Sequence, residues 1–205
     1  MAKSVLFLDQ LDSFSYNIVH LLESIIGKTH AVEVLRYDDE EGWDKLKSSG
    51  LSGYSGLVIG PGPGKPSDYP RIYQLVQKYK GEIPVLGICL GMQLLGEMLG
   101  YAVSEAPEAI HGKMRKLEHD GTGLFRGLQS PMEVGRYHSL CIQLEMRSNY
   151  RSLESVSIPA TCEGLPMAIS AINLGWDAVQ FHPESVLTPL GNSIIENWVK
   201  LRFEG

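Results

Sequence analysis

The pentapeptide Gly87-Ile88-Cys89-Leu90-Gly91 lies between a short apolar run and an amphipathic segment carrying Leu94, Leu95 and Met98. It has the G-x-nucleophile-x-G form of a strand–turn–helix elbow, with cysteine in the nucleophile's place. Such a turn needs a neighbour without a side chain on either side of a strained central residue. Cys89 would then stand at a helix N-terminus, where the macrodipole favours the thiolate, and the amide of Leu90 would face an oxyanion formed by attack at Cys89. The competing reading is a buried cysteine beside packing glycines. A thiol nucleophile also needs a base. Among six histidines, His182 follows the apolar run Ala178-Val179-Gln180-Phe181 and precedes Pro183-Glu184. Proline holds its predecessor extended, and in an extended segment residues two apart share a face. Glu184 can therefore orient the His182 imidazole as the third member of a triad does. Taken alone, a histidine packed at a strand end next to a solvated glutamate describes this tripeptide as well.

These residues need a scaffold, and the first half of the chain alternates strand-like and helix-like segments. Ser4-Val5-Leu6-Phe7-Leu8 reads as a strand buried on both faces. Asp12 and Ser13 offer N-cap oxygens to a helix reaching Ile26, with Phe14, Ile18, Leu21, Leu22 and Ile25 at helical spacing and Gly27 as its stop. Further strands are expected over Ala31 to Arg36, Gly56 to Ile59 and Pro84 to Ile88, and a helix over Tyr69 to Lys80. Between them, Gly60 to Pro66 alternates glycine and proline and is excluded from regular structure. It is no phosphate loop, since it lacks the G-K-[ST] ending. From Tyr101 to Phe181 strand-like segments and turns follow, with a turn at His119-Asp120-Gly121. A final helix runs from Gly191 to Phe203 with Ile194, Ile195, Trp198 and Leu201 on one face. The βαβα succession implies an α/β fold: a mostly parallel central sheet flanked by helices, with an additional antiparallel section. No repeat or linker divides the chain, so one domain over residues 1–205 is expected.

Composition bounds the function. In 205 residues, 43% are hydrophobic and 20% charged, which describes a globular protein able to bury roughly 70% of its unfolded surface. Eighteen basic against twenty-four acidic residues give a net charge of -6, against a nucleic-acid partner. The apolar, uncharged run Ile83 to Gly96 is about fourteen residues, short of the ~20 of a membrane helix. The start has no signal-peptide pattern, because Asp9 interrupts a short apolar stretch. Cys89, Cys141 and Cys162 form neither a disulfide framework nor a zinc ribbon, and His111 and His119 lack metal-ligand spacing with any cysteine. A reduced, cytoplasmic protein with no metal or cofactor is expected.

Three segments together change the weight of the separate motifs. Val58-Ile59-Gly60-Pro61-Gly62-Pro63-Gly64, Leu86-Gly87-Ile88-Cys89-Leu90-Gly91-Met92-Gln93 and Gln180-Phe181-His182-Pro183-Glu184-Ser185 resemble, in order and rough spacing, the class I (triad-type) glutamine amidotransferases, whose fold is flavodoxin-like. Leu8-Asp9-Gln10-Leu11-Asp12-Ser13-Phe14, His111-Gly112-Lys113 and Gly135-Arg136-Tyr137-His138-Ser139-Leu140 resemble the subgroup that supplies ammonia to a chorismate-aminating large subunit. The resemblance runs from Val5 to the C-terminus. It implies L-glutamine as substrate, Cys89, His182 and Glu184 as catalytic residues, and backbone amides of Leu90 and Gly62 as the oxyanion hole. It assigns glutamine binding to Gly62, Pro63, Gly64, Gln93, Ser139 and Leu140. Independently, the loop glycines permit close backbone approach, and Gln93 stands one helical turn from Cys89. The partner implied is anthranilate synthase component I (tryptophan pathway) or aminodeoxychorismate synthase component I (folate pathway).

Two departures stand out. Met92 occupies a position commonly histidine in this subgroup, at the expected edge of the glutamine pocket, and Glu145 to Gly164 matches no recognised pattern. His138 reads better as a structural strand histidine than as a base. Two other functions are weighed. A free-standing γ-glutamyl thiol hydrolase would not be expected to share the segments at His111 and Arg136, and a non-catalytic assembly subunit would have no need of Cys89, His182 and Glu184. If the elbow reading is right, a glutamine-like diazoketone should label Cys89 far faster than Cys141 or Cys162; peptide mapping that finds either of the latter labelled first would remove Cys89 as the nucleophile.

Overall fold

A computed structural model describes residues 3–146 and 155–204. The elements run β1 (Lys3–Asp9), α1 (Ser15–Ile26), β2 (His30–Arg36), α2 (Glu40–Ser49), β3 (Tyr54–Ile59), α3 (Pro70–Lys78), β4 (Val85–Ile88), α4 (Leu90–Met98), β5 (Tyr101–His119), β6 (Met132–Met146), β7 (Val156–Cys162), β8 (Leu165–Ala171), β9 (Trp176–Val179) and α5 (Gly191–Phe203). Among the described residues, nine strands join one sheet in the order β2-β1-β3-β4-β9-β8-β7-β5-β6. The first five in that order pair in parallel, and β9-β8-β7-β5-β6 pair antiparallel. This is an α/β fold with a mixed sheet.

The period-2 geometry of strands sorts the apolar runs onto two faces. Val5, Phe7, Val58, Leu86, Ile88 and Val179 turn to one side, where α1 and α5 bring Ile18, Leu22, Ile194, Ile195 and Trp198. Leu6, Leu8, Leu57, Ile59, Val85 and Ala178 turn to the other, against Trp43 and Leu46 of α2, Ile72 and Val76 of α3, and Leu94, Leu95 and Met98 of α4. Strands covered on both faces read as unbroken apolar runs for this reason.

Some boundaries differ from those expected, each for a local reason. Helix α1 starts at Ser15 with Phe14 as N-cap and no side-chain cap, rather than on Asp12 and Ser13. Asp9 organises that end instead: its Oδ1 accepts from Ser15 Oγ at 2.5 Å and from the Leu11 amide at 2.9 Å, while Asp12 Oδ1 accepts from the Phe14 amide at 2.8 Å. Pro66 opens a one-turn 3₁₀ segment to Asp68, so α3 begins at Pro70, and it ends at Lys78 rather than Lys80. The turn after His119 is closed by Asp120 Oδ1, which accepts from the Thr122 amide at 2.8 Å. Of the unmatched stretch 145–164, residues 147–154 lie outside the described residues.

The junction of β4 and α4 is packed too closely for side chains at its glycines. A Cβ on Gly91 would overlap the carbonyl of Ile59, and one on Gly87 would lie 2.7 Å from the Gly91 carbonyl. Gly53, in contrast, faces open space. Gly91→Ala should therefore destabilise by about 1–3 kcal/mol, whereas Gly53→Ala should stay within about 0.5 kcal/mol of wild type. Urea denaturation of the two variants checks this, and equal effects would contradict the close-packing account.

Candidate active site

In a parallel sheet of strand order 2-1-3-4-5 type, the carboxyl ends of the strands around the reversal of order form a crevice. Here the ends of β1, β3 and β4 line one cleft, and the end of β9 lies behind Cys89. Strand β1 delivers Leu11 to Ser13, β3 the Gly60–Gly64 loop, β4 Cys89, and β9 the segment Gln180 to Glu184. The ribbon of β5 and β6 adds Tyr137 to Leu140 from the antiparallel side, and the resulting cleft has a volume of about 440 Å³.

Cys89 is the N-cap of α4 and has φ 53° and ψ -103°, a left-handed backbone that side chains rarely adopt. The strain is held by the surrounding hydrogen bonds and packing. The Cys89 amide donates to the Val179 carbonyl at 2.9 Å, and its own carbonyl accepts from the Gln93 amide at 3.2 Å. These bonds tie the elbow to β9 on one side and to α4 on the other. Cys89 is buried, as are Cys141 and Cys162, whose thiols burial pushes up.

His182 is buried, and its Nδ1 lies 2.5 Å from Glu184 Oε1, itself fully buried. Burial opposes the charge of the imidazole, but its interactions with Cys89 and Glu184 outweigh burial and push it up to about 10. Two rings pack against it: Tyr137, edge-on with centroids 5.1 Å apart, and Phe14 at 6.0 Å. Thr188 fixes the backbone beneath, donating its hydroxyl to the His182 carbonyl at 2.7 Å and accepting from the Gly135 amide at 3.0 Å.

The structure brings the other residues singled out from sequence to the same cleft: Gly62, Pro63, Gly64, Leu90, Gln93, Ser139 and Leu140 all line it. Gly62 sits where a Cβ would overlap Gln10, and 2.9 Å from Leu90, so the loop lies directly against the elbow. Tyr69 donates its hydroxyl to the Pro63 carbonyl at 2.8 Å. Gln93 donates to the Leu140 carbonyl at 3.1 Å and to Gln180 Oε1 at 3.3 Å, and so spans the floor. His138 is a buried residue of β6, bonded through Nδ1 to the Leu140 carbonyl at 2.8 Å and through Nε2 to Arg136. Met92 does not reach the pocket's edge as expected. It is fully buried in the apolar cluster beneath α4, because the helix turns it about 100° away from Gln93.

Tyr137, Phe14, Thr188 and Gln180 were not singled out by sequence reasoning. Tyr137 and Gln180 lie inside recognisable motifs without a role of their own there, and Thr188 carries no pattern at all. Among the described residues, no group of three or more His, Cys, Asp or Glu is placed to hold a metal ion, and no helix is long and apolar enough to cross a membrane.

The chain is 35% identical over 198 residues to "Anthranilate synthase component 2" of Haemophilus influenzae, covering 96% of each. It is 33% identical to "Aminodeoxychorismate/anthranilate synthase component 2" of Bacillus subtilis, covering 96% of this chain and 95% of that one. Its fold is similar to that of a glutamine amidotransferase from Thermotoga maritima, with a TM-score of 0.69 at 21% identity, covering 98% of this chain and 82% of that one. The model of the family "Glutamine amidotransferase class-I" matches residues 6–201, and the chain belongs to that family.

Proposed function

We propose that this chain is a glutaminase subunit that hydrolyses L-glutamine at Cys89 and passes the ammonia to a chorismate-aminating large subunit. The observation that carries the reading is the set Cys89–His182–Glu184, with Cys89 on a strained elbow that lines a cleft together with Gly62 to Gly64 and Tyr137 to Leu140. Cys89 Sγ attacks the carboxamide carbon of glutamine. The oxyanion faces the backbone amides of Leu90 and Gly62, each such donor being worth on the order of 10²–10³ in rate. His182, already carrying a proton, gives it to the departing nitrogen, and ammonia leaves. A γ-glutamyl thioester remains on Cys89. Water activated by His182 then attacks it, expelling the sulfur and releasing glutamate. Glu184 holds the ring and offsets its charge throughout. Glutamine itself is held by Gly62, Pro63, Gly64, Gln93, Ser139 and Leu140.

Relatives named for component 2 of both anthranilate synthase and aminodeoxychorismate synthase support a partner of component I type. The same cleft serves either product, anthranilate or 4-amino-4-deoxychorismate, because the chorismate chemistry belongs to the large subunit.

That division of labour has a direct test. Cys89→Ser should abolish glutamine-dependent synthesis by the complex and leave ammonia-dependent synthesis nearly intact; failure of free ammonium to support the variant complex at raised pH would contradict it. A second expectation follows from the charge on His182. Its proton is retained through neutral pH and lost as pH rises through about 10. The alkaline arm of the glutaminase kcat/KM profile reports that loss. Glu184→Gln removes one of the groups that raise it, so this arm should move to lower pH, and an unmoved arm would remove His182 as the proton donor.

A further inference from the structure

The amide of Gln180 is completely buried, and its Nε2 lies 3.6 Å from Cys89 Sγ, within range of an N–H···S hydrogen bond. What makes this contact informative is the polarity of the bonds behind it. Arg136, only 1% exposed, can donate and never accept. Its Nε lies 3.1 Å from His138 Nε2, which must therefore be the unprotonated, accepting nitrogen. The proton then sits on His138 Nδ1, which donates to the Leu140 carbonyl at 2.8 Å. That carbonyl also accepts from Gln93 Nε2 at 3.1 Å, and the same Gln93 nitrogen donates to Gln180 Oε1 at 3.3 Å. With its oxygen committed to Gln93, Gln180 has only its nitrogen to turn toward Cys89. The far end of the chain is anchored as well: Arg136 Nη1 bonds Glu163 Oε2 at 3.0 Å, and Glu163 pairs with Arg115 at 3.1 Å.

We propose that Gln180 is a further catalytic residue, whose amide N–H hydrogen-bonds the Cys89 sulfur, and that Arg136, His138 and Gln93 are positioning residues which fix that amide's orientation. The inference rests on Cys89 being the nucleophile. The donor acts at both stages where the sulfur carries negative charge. Before attack it would hydrogen-bond the thiolate. After the thioester forms, it stabilises the sulfur as the leaving group when water expels it. The donated hydrogen needs no proton transfer, so His182 remains the only group that exchanges a proton.

The test is alkylation of the full chain by iodoacetamide at neutral pH, with each cysteine followed by peptide mapping. Gln180→Met keeps the length of the side chain without a donor, and Gln180→Glu keeps its shape but presents an acceptor. Both should slow labelling of Cys89 by about tenfold, the effect of losing one hydrogen bond to a charged group. Gln93→Met, which leaves Gln180 in place but frees its oxygen, should slow it by less. A residue that only packs would behave differently, because loosening the interior speeds labelling of Cys89, Cys141 and Cys162 together. That pattern, or a Cys89 rate equal to wild type in both Gln180 variants, would overturn the proposal. Glutamine hydrolysis by Cys89→Ser, measured in parallel, separates the two claims. If that variant is inactive while the Gln180 variants label normally, only the role of Gln180 fails; if it is active, the nucleophile reading itself fails.

Discussion

The arrangement of this molecule depends on one strained residue. Cys89 is held at a positive φ where β4 ends and α4 begins, and nothing intrinsic to cysteine favours that backbone. It persists because Gly91 lets the first turn of α4 press against the Ile59 carbonyl of β3, and because the Cys89 amide is tied to Val179 of β9. The sulfur is therefore positioned by three neighbouring strands of the sheet, not by its own short helix. Those strands are buried on both faces by the two apolar clusters, so the elbow sits on packed strands rather than on a surface loop.

Once the elbow is fixed, the remaining parts fall into reach without large excursions of the chain. Strand β9 lies beside β4, and its extension beyond Val179 passes Gln180 and His182 on the side of the sulfur. Strand β3 lies on the other side and runs into the loop carrying Gly62, whose lack of a side chain lets it rest against Leu90 and Gln10. The long β5–β6 ribbon then closes the third wall, with Tyr137 against His182 and the Leu140 carbonyl against Gln93. Raising the proton affinity of a buried histidine requires partners strong enough to overcome desolvation. Glu184, its side chain buried two residues along in a turn that the Ser185 amide closes on the His182 carbonyl rather than in the extended segment expected, and Cys89 beside the ring supply them.

Local signals in the sequence carried much of this. The strands β1, β3 and β4 stand out as short apolar runs because both of their faces are covered, and the final helix α5 is bounded in the structure at the same residues, Gly191 to Phe203. The glycines flanking Cys89 marked the elbow because close packing leaves them no alternative. What was not legible arises from contacts between distant segments. Helix α1 has no side-chain cap at all; Asp9, six residues before Ser15, binds the Ser15 hydroxyl, where Asp12 or Ser13 was expected to cap the helix. Met92 looked like a pocket residue from its neighbours in sequence, yet helical rotation sends it into the core. Gln180 gains its meaning from Gln93, 87 residues away, since only the folded chain brings the donor of one to the acceptor of the other.

Hydrolysis by this route requires that Cys89 become covalently acylated by glutamine. Acid quenching of the complex during turnover with glutamine and chorismate, followed by peptide mass analysis, reads this directly. The account predicts a γ-glutamyl group on the peptide containing Cys89 and on no other. An adduct on another residue, or glutamate production with no trapped acyl group on Cys89 at any quench time, would contradict it.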